Sequence, residues 1–159
     1  MTERRMQVGG VQIYQNLGMI SILGTPHGPG MAGVVLEALG EAGINVEFIS
    51  CCPDSAGGDD IVLCVERSRM QTALRALDAA RSMIRPVGVK TQEGLVAVAV
   101  FGPHFREIPA VAGRIFRAFA DAGVNILAIS TSVSSVTSVF EESRLDPALA
   151  SLRKRFDLG

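Results

Sequence analysis

The sequence predicts an α+β protein built of two ferredoxin-like βαββαβ modules, interleaved, with the N-terminal strand completing the second. Three observations carry this. A 22-residue segment recurs at an offset of 80 residues without a gap. Each copy reads strand, helix, strand, strand, helix. The second copy ends one strand short, while a strand near the N-terminus has no place in the first.

The repeat aligns Pro29-Gly-Met-Ala-Gly-Val-Val-Leu-Glu-Ala-Leu-Gly-Glu-Ala-Gly-Ile-Asn-Val-Glu-Phe-Ile-Ser50 with Pro109-Ala-Val-Ala-Gly-Arg-Ile-Phe-Arg-Ala-Phe-Ala-Asp-Ala-Gly-Val-Asn-Ile-Leu-Ala-Ile-Ser130. Pro29, Ala32, Gly33, Ala38, Ala42, Gly43, Asn45, Ile49 and Ser50 are identical to their partners. Two copies imply two modules of about 75–80 residues, not a solenoid, which needs about three or more.

In chain order, alternation at Val11 and Ile13 makes residues 8–15 a strand. Residues 19–24 form another and end in a Pro/Gly loop. The first helix places Met31, Val34, Val35, Ala38 and Leu39 on one face. Gly43 sits where a helix C-terminus wants a left-handed residue. Residues 45–50 resume as strand and turn through 53–59, which holds Gly57-Gly58, into a strand over 61–66. That link is too short for a crossover helix, so the return is antiparallel. A helix over 69–82 packs Met70, Ala73, Leu74 and Leu77, and a strand over 86–91 closes the module.

The second copy repeats the order: strand 95–102, a helix with Val111, Ile115, Phe116 and Phe119 inward, then Gly123, strand 125–130, strand 134–141 and helix 146–156. No closing strand follows. Residues 8–15 are therefore expected to fill that place, giving a first module over 16–92 and a second over 93–159 plus 8–15.

The composition limits the function classes. The chain has 159 residues, 48% of them hydrophobic and 19% charged, with a mean hydropathy of +0.32. This excludes disorder. The longest apolar run, residues 95–101, is far short of the ~20 residues of a membrane span. Residues 1–6 lead into Gly9-Gly10 with no apolar leader, which predicts a cytoplasmic protein and no membrane partner. A net charge of −1, no Trp and a single Tyr argue against nucleic acid as a partner. Cys51, Cys52 and Cys64 form no disulfide framework, which suits a reducing compartment. His27 and His104 are too few and too scattered for a zinc motif. No cofactor is implied. The apolar excess predicts a subunit interface.

Gly28-x-Gly30-x-x-Gly33 has the form of a dinucleotide fingerprint, with Glu47 about 20 residues beyond it. The context opposes that reading. A hairpin follows where a Rossmann unit needs another helix, Pro29 interrupts the turn, and the second copy lacks the first two glycines. The loop reads equally well as a tight strand-to-helix turn or as a helix N-terminus that receives a small anion. Asn45 and Asn125, each opening a strand, fit a turn-filling or a ligand-contacting role alike. Cys51 and Cys52 have no neighbouring His or Lys to lower a thiol pKa, so they read as partly buried structural thiols. Arg67, Arg69, Arg75, Arg81 and Arg85 spread around a solvated helix face.

Ile22-Leu-Gly-Thr-Pro-His-Gly-Pro-Gly-Met-Ala32 resembles the loop and helix start of ACT domains. The segments 41–49 and 121–132, the latter ending Ile129-Ser-Thr-Ser132, are similar to the paired ACT repeats at the C-terminal end of aspartokinase. Val8-Gly-Gly-Val-Gln-Ile13 and Arg155-Phe-Asp-Leu158 extend the resemblance to nearly the whole chain.

The resemblance implies a non-catalytic regulatory protein that binds a small free amino acid, of the lysine or threonine type or a related ligand, at ACT–ACT interfaces. It also implies a homodimer, and a regulatory subunit with an aspartokinase-like kinase as catalytic partner. A purely structural assembly subunit is the alternative. Carried onto this chain, the effector loop falls on His27, Gly28, Pro29, Gly30, Met31 and Ala32, with Ile44 and Asn45 beside it. Cys51 joins it from the following strand. The facing contribution falls on Asn125, Ile126, Ser130, Thr131 and Ser132. The family pattern usually has Asp at His27 and Gln at Cys51, and often Glu at Val133. Each change removes a group suited to an ammonium or polar side chain.

Overall fold

The computed structural model describes residues 5–103, 105 and 107–159. His104 and the first four residues, on which part of the metal and leader expectations rest, lie outside the described residues. Two compact units emerge, Asn16–Gly94 and Leu95–Gly159 with the N-terminal segment through Gln15.

In the first unit, β2 (Gly10–Pro26) supplies its C-terminal part, followed by α1 (Met31–Glu41), β3 (Phe48–Pro53), β4 (Gly58–Glu66), α2 (Met70–Ala79), α3 (Arg81–Ile84) and the start of β5 (Gly88–Phe101). β4 lies between β2 and β3 and is antiparallel to both, with Ile22 opposite Ile61 and Phe48 opposite Cys64. β5 flanks β2 on its other side. Val87 N–H donates to Leu23 O at 2.9 Å where that pairing begins. Ile20, Ile22, Ile61, Leu63 and Val65 project from the sheet onto Val35 and Leu39 of α1 and Ala73 and Leu77 of α2.

The second unit repeats this with β5, α4 (Val111–Asp121), β6 (Ile126–Thr131), β7 (Ser135–Glu141) and α5 (Leu145–Arg155). β7 lies between β5 and β6, antiparallel to both. The place beside β5 is taken by the N-terminal part of β2, and Gly9 N–H donates to Phe101 O at 2.7 Å. β1 (Met6–Gln7) runs parallel to β8 (Phe156–Asp157), and Val8 joins the core of Val96, Val98, Val100, Ile115, Phe119, Phe140 and Leu152. The N-terminal strand thus completes the second module, as expected.

Several boundaries differ from the expectations. Residues 8–15 and 19–24 belong to one continuous strand, as do 86–91 and 95–102, except at their outermost residues. Each of these strands contains one left-handed residue, Asn16 (φ 56°) and Gly94 (φ 72°), and continues past it. The expected helix 69–82 begins as a tighter 3-10 turn, Arg67–Arg69, and breaks at Ala80 into α2 and α3. Asn45 and Asn125 lie in the connection before their strands instead of opening them.

Gly43 and Gly123 adopt φ 69° and 66°. Both helices close with the same pair of bonds. Gly43 N–H donates to Gly40 O and Ile44 N–H to Leu39 O; Gly123 N–H donates to Ala120 O and Val124 N–H to Phe119 O. This Schellman arrangement requires a left-handed residue, which glycine adopts without a Cβ penalty.

Candidate functional site

Both modules place a loop between their first strand and first helix, and the end of their second strand lies beside it. In the first module, antiparallel pairing fixes this. Pro26 at the end of β2 is opposite Gly58, and Pro53 at the end of β3 is opposite Asp59. The loop His27–Gly30, the thiols Cys51 and Cys52, and Asp59 and Asp60 therefore meet at one end of the sheet.

Hydrogen bonds hold the loop to β4. The buried Thr25 Oγ1 donates to Asp59 O at 3.0 Å. His27 Nδ1 lies 3.0 Å from Asp59 Oδ2. The imidazole is mostly exposed, whereas Asp59 is 8% exposed. Asp60 Oδ1 accepts the Gly24 N–H at 2.8 Å. Asp54 Oδ1 accepts from Ala56 and Gly58 N–H at 2.7 and 2.8 Å and shapes the β3–β4 hairpin. All three carboxylates at this end thus have protein partners.

Gly30 enters α1 at φ 95°, a conformation suited to glycine. Val34 N–H donates to Gly30 O at 3.0 Å as the first helical bond. No side chain caps the helix, and its first turn carries no acid. A Cβ placed on Gly28, Gly30 or Gly33 would meet nothing within 4 Å, so the side of the backbone that a side chain would occupy is open at all three. Uncapped N–H groups at a helix start attract a carboxylate.

Cys51 and Cys52 are exposed and Cys64 is buried, which corrects the expectation of partial burial for the adjacent pair. An edge strand leaves the last residues of β3 uncovered. The Cys51 thiol is pushed up by desolvation, then by the charge of Asp59, by Cys52 and by Asp60. This is the reverse of what a nucleophile needs.

In the second module, Phe105, Ile108, Pro109 and Ala110 meet Thr131, Ser132 and Val136 around a cavity of about 210 Å³. Ala110, aligned with Gly30, keeps the left-handed conformation at φ 71°, and Arg114 N–H donates to Ala110 O at 3.0 Å. The left-handed entry to the helix is thus kept at a residue that carries a Cβ. Ser132 Oγ accepts from Ser134 and Ser135 N–H and lies 2.9 Å from Ser135 Oγ, so it closes the β6–β7 hairpin much as Asp54 closes β3–β4. Thr131 and Ser130 are exposed beside it.

The structure thus brings together His27, Gly28, Pro29, Gly30, Met31, Ala32 and Cys51. It does not bring Ile44 and Asn45 beside them within that module. The 11 residues of α1 separate the two sets, a rise of about 16 Å at 1.5 Å per residue. Ile44 is 6% exposed and serves the core. Asn125 and Ile126 are likewise at the opposite end of β6 from Ser130, Thr131 and Ser132.

Sequence reasoning missed Asp59, Thr25, Phe105 and Ile108. It also misread Arg69, whose Nη2 donates to Ala42 O at 3.1 Å at the end of α1. The available signal was a second repeat, Glu66-x-Ser68-Arg69 against Glu141-x-Ser143-Arg144.

Residues 20–80 and 98–156, one stretch in each module, match the family model described as ACT domain. The chain belongs to the ACT domain family. Among curated proteins it is similar to aspartokinase of Mycolicibacterium smegmatis, 29% identical over 152 residues, covering 94% of this chain and 36% of that protein. The chain thus spans about a third of the length of the curated relatives it matches, 36% and 38% for two of them. Among solved structures, the regulatory subunit of aspartate kinase from Thermus thermophilus superposes with a TM-score of 0.84 at 27% identity, covering 94% of this chain and 99% of that one. A chain from a structure of aspartokinase alpha and beta subunits gives 0.83 at 29%, covering 93% and 97%. The two ACT modules therefore match regulatory ACT domains and subunits of aspartokinases. Among the described residues no helix is long and apolar enough to cross a membrane.

Proposed function

We propose that this chain is a non-catalytic regulatory ACT protein, the partner of an aspartokinase-like catalytic chain, and that it binds a small free amino acid at the loop before α1. The observation that carries this is the near-complete mutual coverage with the Thermus thermophilus regulatory subunit, 94% of this chain and 99% of that one, at 27% identity.

The effector's carboxylate would rest on the open amides of Gly30, Met31 and Ala32. A second ACT surface from another copy of the chain would close over it, and the exposed Ile129 and Val133 beside the β6 edge suit such a homodimer. Ligand that favours one packing of the dimer would be read by the kinase as a population shift.

Calorimetric titration with lysine, threonine and the other amino acids tests the sensing claim, and co-purification with a kinase chain lacking its own ACT region tests the partner. Silence to every amino acid would overturn the first. Kinase activity that is independent of this chain would overturn the second. One observation favours a purely structural role for the second module: among the described residues its loop cavity is lined by apolar groups such as Phe105, Ile108 and Val136, by the hydroxyls of Thr131 and Ser132, and by no charged side chain.

A further inference from the structure

We propose that the first module carries a second ligand site, distinct from the loop before α1, which takes an apolar organic acid with a single carboxylate. The site is a cavity of about 310 Å³ under α2 and α3, within the ~300–1,000 Å³ of small-molecule pockets.

Its floor is the buried trio Ile22, Leu77 and Ile84, exposed by only 1%, 6% and 1%. Leu74 and Pro86 form its walls, and Val89 stands at the mouth, 39% exposed. Such a lining removes an aliphatic or aromatic body from water. The mouth is held in place. Arg85 ends α3 in a left-handed conformation, φ 44°, and Val87 N–H donates to Leu23 O at 2.9 Å.

The charges lie on the helical side. Arg75, Asp78 and Arg81 all line the cavity. Asp78 pairs with Arg81 at 4.0 Å. Arg75 has no ion pair among the described residues, so the three groups leave one unmatched positive charge beside an apolar floor. A guanidinium prefers a planar carboxylate, which it can engage with two parallel N–H bonds. Arg75, Arg81 and Asp78 sum to one positive charge, which a monocarboxylate neutralises and a net-neutral zwitterion does not, so the acid without an α-amino group is the better match.

The site does not depend on the proposed effector loop, and its test is separate. The whole chain is titrated with 3-phenylpropanoate and 4-methylpentanoate, with phenylalanine and leucine as the zwitterionic controls. The acids are expected to bind at least about tenfold more tightly than the amino acids, a difference of about 1.4 kcal/mol. Arg75→Gln removes only an exposed charge and should weaken the acids by about tenfold or more. Val89→Trp should block the mouth and abolish binding, while melting curves of both variants stay near that of the parent. His27→Ala should leave the acids' affinity unchanged. No heat and no amide shifts with either acid at millimolar concentration would overturn the proposal. So would binding that neither Arg75→Gln nor Val89→Trp alters in a folded protein.

Discussion

Arg144 Nη2 donates to Ala122 O at 2.6 Å, across 22 residues, and so covers the carbonyl end of α4. Arg69 makes the same contact with Ala42 in the first module. A cation over a helix C-terminus gains from the aligned peptide dipoles as well as from the bond. Arg69→Gln and Arg144→Gln are each expected to lower stability by about 1–2 kcal/mol, with the larger loss at Arg144. Denaturant unfolding of the two variants measures this.

Ala110 holds a left-handed backbone that costs a residue with a Cβ about 1–2 kcal/mol. Ala110→Gly relieves that strain but loosens the unfolded chain by about 0.4–1 kcal/mol. The expected outcome is a net gain of about 0.5–1 kcal/mol. Gly43→Ala should move the other way, by about 1 kcal/mol. Paired thermal melts separate the two.

His27 occupies Asp59. Removing the imidazole in His27→Ala leaves a carboxylate, 8% exposed, at the edge of the loop. If the loop receives amino acids, the variant should bind lysine more tightly than the parent does, since an ammonium then finds an unpaired partner. Titration of both proteins with lysine is the measurement, and equal affinities would count against a ligand at this loop end.

Burial pushes the Cys64 thiol up to about 12 from its ordinary 9.0. The folded state therefore holds this proton more tightly than the unfolded chain. The associated stability is complete below about pH 9 and is lost as pH rises towards about 12. Cys64→Ala should flatten that alkaline decline. Alkylation at pH 8 should reach Cys52 before Cys51, whose thiol is raised, and Cys64 only on unfolding.

The two-module plan was legible because duplication left identical residues at one offset, and Gly43 and Gly123 marked the helix ends by the backbone angles they must adopt. The loop around His27 was legible as a turn before a helix. Its tether was not, because Asp59 is distant in sequence and reaches the loop only through the pairing of β2 with β4. Arg69 was hidden for a related reason. Its counterpart Arg144 lies 75 residues away, the second hairpin being shorter than the first, so the match falls out of step with the main repeat. Ala110 carried no sign of its conformation, since alanine does not announce a positive φ as glycine does.

The N-terminal strand that completes the second module also sets the order in which the protein can be made. On the ribosome, that strand emerges roughly eighty residues before β5, the neighbour it needs. The first module can form as soon as its own segment is free, whereas the second must wait until β1 meets β8 and the start of β2 meets β5. Its contacts join residues as far apart as Met6 and Phe156, a topology that slows folding. Trimming the first fifteen residues should therefore unfold the distant module and spare the neighbouring one.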